Sequence, residues 1–157
     1  MKQWSVDPFA AFGQDWALVT AGTPEKFNTM TVSWGGLGTL WGKSVVTVYI
    51  KPVRYTYEFM EKGELFTVSF FGEEHRRDLE LLGTVSGRDG NKLKKTSLTP
   101  VECGGAVTFE EAKTTLLCRK LYWQDLDPER IPLAAMRTFY KTEPPHRMYI
   151  AELVDII

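Results

Sequence analysis

The chain is poor in the residues that build metal and disulfide sites. Its 157 residues include 2 Cys (Cys103, Cys118) and 2 His (His75, His146). These form no Cys-x-x-Cys pair and no His-Glu-x-x-His, which argues against a zinc centre. Two thiols do not make a disulfide framework, and a reducing compartment is the simpler setting. No stretch approaches the roughly 18 apolar residues of a membrane span. The first 20 residues are broken by Asp7, Pro8, Gln14 and Asp15, so they do not read as a signal-peptide core. An excess of charge is missing too. There are 19 Lys+Arg against 20 Asp+Glu, a net of −1, which gives no general attraction to nucleic acid or an anionic membrane. These absences predict a soluble, cytoplasmic protein with no metal and no nucleic-acid or membrane partner. Internal repeats and low-complexity segments are also lacking. Gly36-Leu37-Gly38 is followed by Trp41 where a dinucleotide fingerprint needs glycine, and no P-loop exists.

What is present fits one domain over residues 1–157. A chain of this length buries roughly 70% of its unfolded surface and folds without staples. Aromatics make up 13%, with 5 Trp, 6 Tyr and 9 Phe; they either fill a core or wall a pocket for a flat ligand. Strand signals dominate. Ser44 to Ile50 and Leu116 to Trp123 alternate, as does Met148 to Ile157, while Thr29 to Gly35 and Leu65 to Phe71 are rich in β-formers. Gly35, Gly36, Gly38 and Gly42 predict tight turns or close backbone approach. Helices are few. Val53, Tyr57 and Met60 recur at helical spacing between Pro52 and Gly63. His75, Leu79 and Leu82 do so up to Gly83. Asp127 to Tyr140 holds a turn or two, and Ser86 to Pro100 reads as a loop. The pattern predicts a mainly β barrel with a few short flanking helices, not a βαβ alternation.

Three places carry candidate chemistry. On an extended strand Thr29, Thr31 and Ser33 point the same way. Such a hydroxyl face either meets solvent or hydrogen-bonds a polar, planar ligand. At the strand-to-helix junction, Lys51-Pro52-Val53-Arg54-Tyr55-Thr56 sets a guanidinium and a hydroxyl beside the free amides of a helix start. That set suits a phosphate monoester, and it is equally what a solvated helix flank looks like. Trp34 and Trp41 flank the glycine run and wall a flat ring or pack a core or dimer face. His146, after Pro144-Pro145, is a pocket wall, a proton donor or an exposed loop residue. His75 reads as packing. Cys103 belongs in a turn and Cys118 is a buried thiol; neither has a nucleophile–base partner.

The order of these segments is informative. Asn28-Thr29-Met30-Thr31-Val32-Ser33-Trp34, then Lys51 to Thr56, then Phe66-Thr67-Val68-Ser69-Phe70-Phe71, then Ser86-Gly87-Arg88-Asp89 with Lys92, resembles the flavin reductase-like family of FMN-binding split β-barrels, which includes flavoredoxin. His146 to Val154 is similar to the family's last strand. The resemblance implies a homodimer with FMN at or near the interface. It implies that Asn28, Thr29, Met30, Thr31, Ser33 and Trp34 line the ribityl chain and ring, and that Arg54, Tyr55 and Thr56 hold the phosphate. Trp41, Ser69 and Phe70 would border the site, while Ser86, Arg88 and Lys92 would reach it from a loop. His146 would face the substrate side. No side chain need be catalytic, because the flavin takes a hydride from NADH or NADPH at N5 and passes electrons to flavin, oxygen, metal or a partner protein. The alternatives are a flavoredoxin-type electron carrier, a flavin-binding sensor and, less close, the pyridoxamine phosphate oxidase type of barrel. The chain departs from the family at Pro144-Pro145-His146, where Gly-Asp-His is common, and over Trp123 to Tyr140.

Overall fold

The computed structural model describes residues 1–157. Nine strands carry the fold: β1 Ala17–Gly22, β2 Phe27–Val32, β3 Gly35–Leu40, β4 Lys43–Ile50, β5 Leu65–Phe70, β6 Pro100–Cys103, β7 Ala106–Phe109, β8 Thr114–Asp125 and β9 Arg147–Ile156. Four helices decorate them: α1 Pro8–Ala10, α2 Tyr55–Lys62, α3 Arg76–Thr84 and α4 Leu133–Phe139. Seven strands form one antiparallel sheet in the order β2-β1-β5-β8-β9-β4-β3, and β6-β7 is a separate hairpin. The expected mainly β fold is therefore what the chain adopts.

The sheet is rolled. Met30 and Val32 at one end of the strand order share a core with Val46, Val48 and Ile50 near the other, together with Val19, Phe66, Val68, Leu116, Tyr149 and Ala151. Met60 of α2 closes that core. A second, smaller core lies on the outer face of β1, where Leu18 packs with Leu79 and Leu82 of α3 and with Phe71, Leu98 and Phe109. Both faces of β1 are therefore buried, so its sequence Ala-Leu-Val-Thr-Ala has no polar alternation. Cys118 faces the main core at 0% exposure, and burial pushes its thiol well above the ordinary range.

Several elements differ from the sequence expectation. Gly35–Leu40 forms the edge strand β3, paired along its length with β4, and Gly35 makes the expected close approach, since a side chain there would strike the Phe12 ring. The turn is Trp41-Gly42, both residues at positive φ (52° and 70°), as a two-residue hairpin requires. Gly83 lies within α3, which runs on to Thr84. The segment from Ser86 to Pro100 contains two 3-10 turns, Gly87–Asp89 and Lys92–Lys95, capped by the side chains of Ser86 and Asn91. Helix α2 starts at Tyr55 because the Lys51 carbonyl first accepts from the Arg54 amide in a tight turn, and it stops at Gly63 as expected.

Candidate functional site

Strand β2 ends at Val32, and β3 starts at Gly35. The two residues between them, Ser33 and Trp34, lie outside the ladder and leave backbone groups free. Beside them, β4 ends at Ile50 and hands over to Lys51 and Arg54, and the chain returns at His146 just before β9. These ends converge on a crevice of about 260 Å³ lined by Met30 to Trp34, Tyr49, Lys51, Arg54, Glu143 and His146. Helix α2 begins at the same place with no side-chain cap; the Arg54 and Tyr57 amides bond the Lys51 and Arg54 carbonyls, and the Tyr55 and Thr56 amides have no backbone partner.

Arg54 is half-buried and spends one nitrogen on the Gly83 carbonyl at 3.2 Å. Burial lowers its pKa, opposed by Glu143, yet a guanidinium stays charged at neutral pH. Lys51 donates to Glu143 at 3.0 Å and to the Phe139 carbonyl at 3.1 Å, tying the α4 segment to the crevice. His146 Nδ1 lies 2.7 Å from the Tyr140 hydroxyl. Its ring sits 5.0 Å from that of Trp34, which meets Phe139 edge-on at 4.9 Å. Burial, helped by Lys51 and Arg54, pulls the His146 pKa down to about 4. The imidazole is therefore neutral at physiological pH. Next to it, Arg147 bridges Asp125 at 2.7 Å and Glu61 at 3.0 Å, and Tyr149 donates to the same Glu61 oxygen at 2.7 Å. This network fixes the start of β9, and with it His146.

Of the residues singled out from the sequence, Met30, Thr31, Ser33, Trp34, Arg54 and His146 come together in the crevice. The others lie outside it, and four of them, Asn28, Thr29, Tyr55 and Lys92, line a separate hollow of about 690 Å³ between β2, the start of α2 and the 3-10 turns that follow α3. Asn28 is buried and donates to Thr56 Oγ1 at 2.8 Å, while Thr56 itself is fully buried. Thr29 pairs with the Thr20 hydroxyl at 2.8 Å. Even Thr31 spends its hydroxyl on the Leu79 carbonyl of α3. The Thr29 and Thr31 hydroxyls of β2 are thus bonded to protein, while Ser33, next on the same face, lines the crevice. Tyr55 packs on Phe59 and lies under Arg88, on the far side of α2. Arg88 bonds the Val53 carbonyl at 2.9 Å and faces Glu58, and Ser86 caps its own turn. Lys92 is buried and donates to the Leu82 and Val85 carbonyls at 3.1 Å each, closing the C-terminus of α3. Burial and the nearby Arg54 lower the Lys92 pKa to about 8. Ser69 joins Thr108 and Thr115 in a buried hydroxyl cluster. Phe70 packs against Trp4 and Phe12. Trp41 is 65% exposed at the hairpin turn, 6.5 Å from Tyr122.

Sequence reasoning missed Tyr49, Tyr140 and Glu143. Tyr49 was detectable, since it shares the Val45–Thr47 face of β4. Tyr140 and Glu143 gave no such signal, because only chain return brings them to the crevice.

A family model for the flavin reductase like domain matches residues 9–156. The chain belongs to the flavin reductase-like family. An uncharacterized protein of Archaeoglobus fulgidus is 32% identical over 104 residues, which is 65% of this chain and 58% of the relative. The match thus spans less than two thirds of that relative. Among solved structures, flavoredoxin from Methanosarcina acetivorans is similar with a TM-score of 0.70 at 16% identity, over 100% of this chain and 75% of the other. An FMN-binding protein from Thermus thermophilus with bound p-hydroxybenzaldehyde gives 0.72 at 18%, over 100% and 81%. The rolled sheet of this family member is accordingly a split barrel. No helix in it is long and apolar enough to cross a membrane.

Proposed function

We propose that the chain is an NAD(P)H-dependent flavin oxidoreductase that holds FMN in the crevice at the ends of β2 and β4. The observation that carries this reading is the meeting of Arg54, Lys51 and the uncapped start of α2 with the free backbone of Ser33-Trp34. The first set suits a phosphate, and the second a ring edge rich in hydrogen-bonding atoms. Bound there, FMN would supply two-electron chemistry between NADH or NADPH and a flavin, oxygen, metal or protein acceptor.

The chain's own residues position and insulate. Arg54 gives a fixed positive charge, held in place by the Gly83 carbonyl. Trp34 walls one side. His146, neutral and oriented by Tyr140, offers a hydrogen bond on the substrate side. We also propose a homodimer. Trp41 and Tyr122 are exposed by 65% and 38%, and their rings lie 6.5 Å apart as an aromatic strip at the β3–β4 turn and β8. A second copy covering this strip would remove a large apolar surface from water.

The test is direct. The purified protein should be yellow, and its released chromophore should be FMN. Anaerobic addition of NADH or NADPH should bleach the flavin band. A band inert to both nucleotides would point instead to the electron-carrier role of a flavoredoxin. A colourless protein that takes up no added FMN would overturn the reading.

A further inference from the structure

Beyond the crevice, on the other side of Trp34, lies a second hollow of about 640 Å³. It shares the walls Trp34, Tyr49 and His146 with the crevice, so the two are adjacent. Its remaining walls come mainly from 124–140, the segment with no counterpart in the family resemblance. We propose that this cavity binds a flat, uncharged, aromatic molecule carrying one hydrogen-bond-accepting oxygen, such as an aryl ketone. Its use as an electron-acceptor site rests on the flavin reading; the binding itself does not.

Four observations support this assignment. The size lies within the roughly 300–1,000 Å³ range of small-molecule pockets. Aromatic and aliphatic side chains predominate in the lining, with Trp34, Phe139, Ile131 and Met148 among them. The ring of Phe139 stands edge-on to Trp34 at 4.9 Å, so the two rings make perpendicular aromatic walls. The charges around the cavity are already matched. Asp125 is held by Arg147 at 2.7 Å, Asp127 by Arg130 at 3.6 Å, and Glu143 by Lys51 at 3.0 Å. A charged guest would have to displace one of these pairs to gain a counter-charge.

One polar feature remains. His146 Nδ1 is engaged by the Tyr140 hydroxyl at 2.7 Å, while Nε2 has no protein partner. When the tyrosine donates to Nδ1, the neutral ring carries its proton on Nε2 and presents one donor. A single carbonyl oxygen on the guest would satisfy it.

The experiment is an isothermal titration of the purified protein with 2-acetylnaphthalene and, separately, 2-naphthoate, with flavin content measured in parallel. The ketone should bind saturably, and the carboxylate should bind at least about tenfold more weakly. Ala135→Trp, which fills the cavity from α4, should weaken ketone binding by about tenfold or more while FMN content stays unchanged. His146→Phe keeps the wall but removes the donor, and should cost about fivefold. Equal binding of ketone and carboxylate would overturn the proposal. So would an Ala135→Trp protein of parental circular dichroism that binds the ketone as before. A colourless protein that binds the ketone would sink the flavin reading alone. A flavin-loaded protein that ignores the ketone would sink this one alone.

Discussion

Arg54 and His146 show how one neighbourhood sets two opposite roles. Arg54 is a cation half out of water that keeps its charge, because a guanidinium cannot give up its proton near neutrality. His146 lies near Lys51 and Arg54, and its burial tips it to the neutral form. Replacing Arg54 with Ala should markedly lower the FMN content of the purified protein, measured by absorbance after heat release. An Arg54→Ala protein that purifies fully loaded would remove the phosphate assignment. His146 also leaves a mark on stability. Its pKa is about 4 in the fold against 6.5 in an unfolded chain. The unfolded state therefore binds the proton more readily, so this contribution is intact above about pH 6.5 and is lost as pH falls towards 4. In His146→Gln, the decline in melting temperature between those pH values should be shallower than in the parent. Parallel declines would show that the ring is not held neutral.

At the scale of elements, the structure explains which sequence signals could be read and which could not. Strands β4, β5, β8 and β9 declared themselves because each carries a run of β-branched and aromatic residues in register with a buried face. Strand β1 did not, because the main core and the α3 layer bury it from both sides and remove the polar alternation. Strand β3 hid behind glycines, since an edge strand needs only its backbone to pair with β4. The hydroxyls of Thr29 and Ser69, expected at the ligand, bond to Thr20, Thr108 and Thr115 in a second polar layer. A sequence shows that such groups are present but not what lies above them. Thr56 and Asn28 bind α2 to β2 in the same way. Asn28→Ala leaves Thr56 Oγ1 without its buried donor and should cost about 1–3 kcal/mol in urea unfolding. The α4 segment is held more lightly, by Lys51. In Lys51→Met, amide hydrogen exchange over 133–143 should speed up by roughly fivefold, the equivalent of ~1 kcal/mol, with the strands unaffected.

For the whole molecule, the rolled sheet sets its open end, where β2 stops and β4 hands over to α2, beside the returning chain at His146. The fold class and about half of the crevice were legible from motif order along the chain. The remainder comes from long-range return, which no local pattern encodes. The aromatic strip is a property of the surface as a whole, drawn from the β3–β4 turn and from β8. If it is a dimer face, Trp41→Glu should halve the mass seen by light scattering while the circular dichroism remains parental. FMN retention should fall with it if the site borders the interface. A Trp41→Glu protein of unchanged mass would place the dimer elsewhere, or nowhere.

Cys118 gives the chain a clock of its own. The thiol sits at 0% exposure in the shared core, with burial holding it in the unreactive protonated form. An alkylating reagent meets it only when the sheet unrolls, so its labelling rate under native conditions reports complete opening, not local breathing. Cys103, at the edge of the β6–β7 hairpin turn and 6% exposed, samples a smaller excursion. The ratio of the two labelling rates compares hairpin release with global unfolding in a single tube, without added dye or mutation.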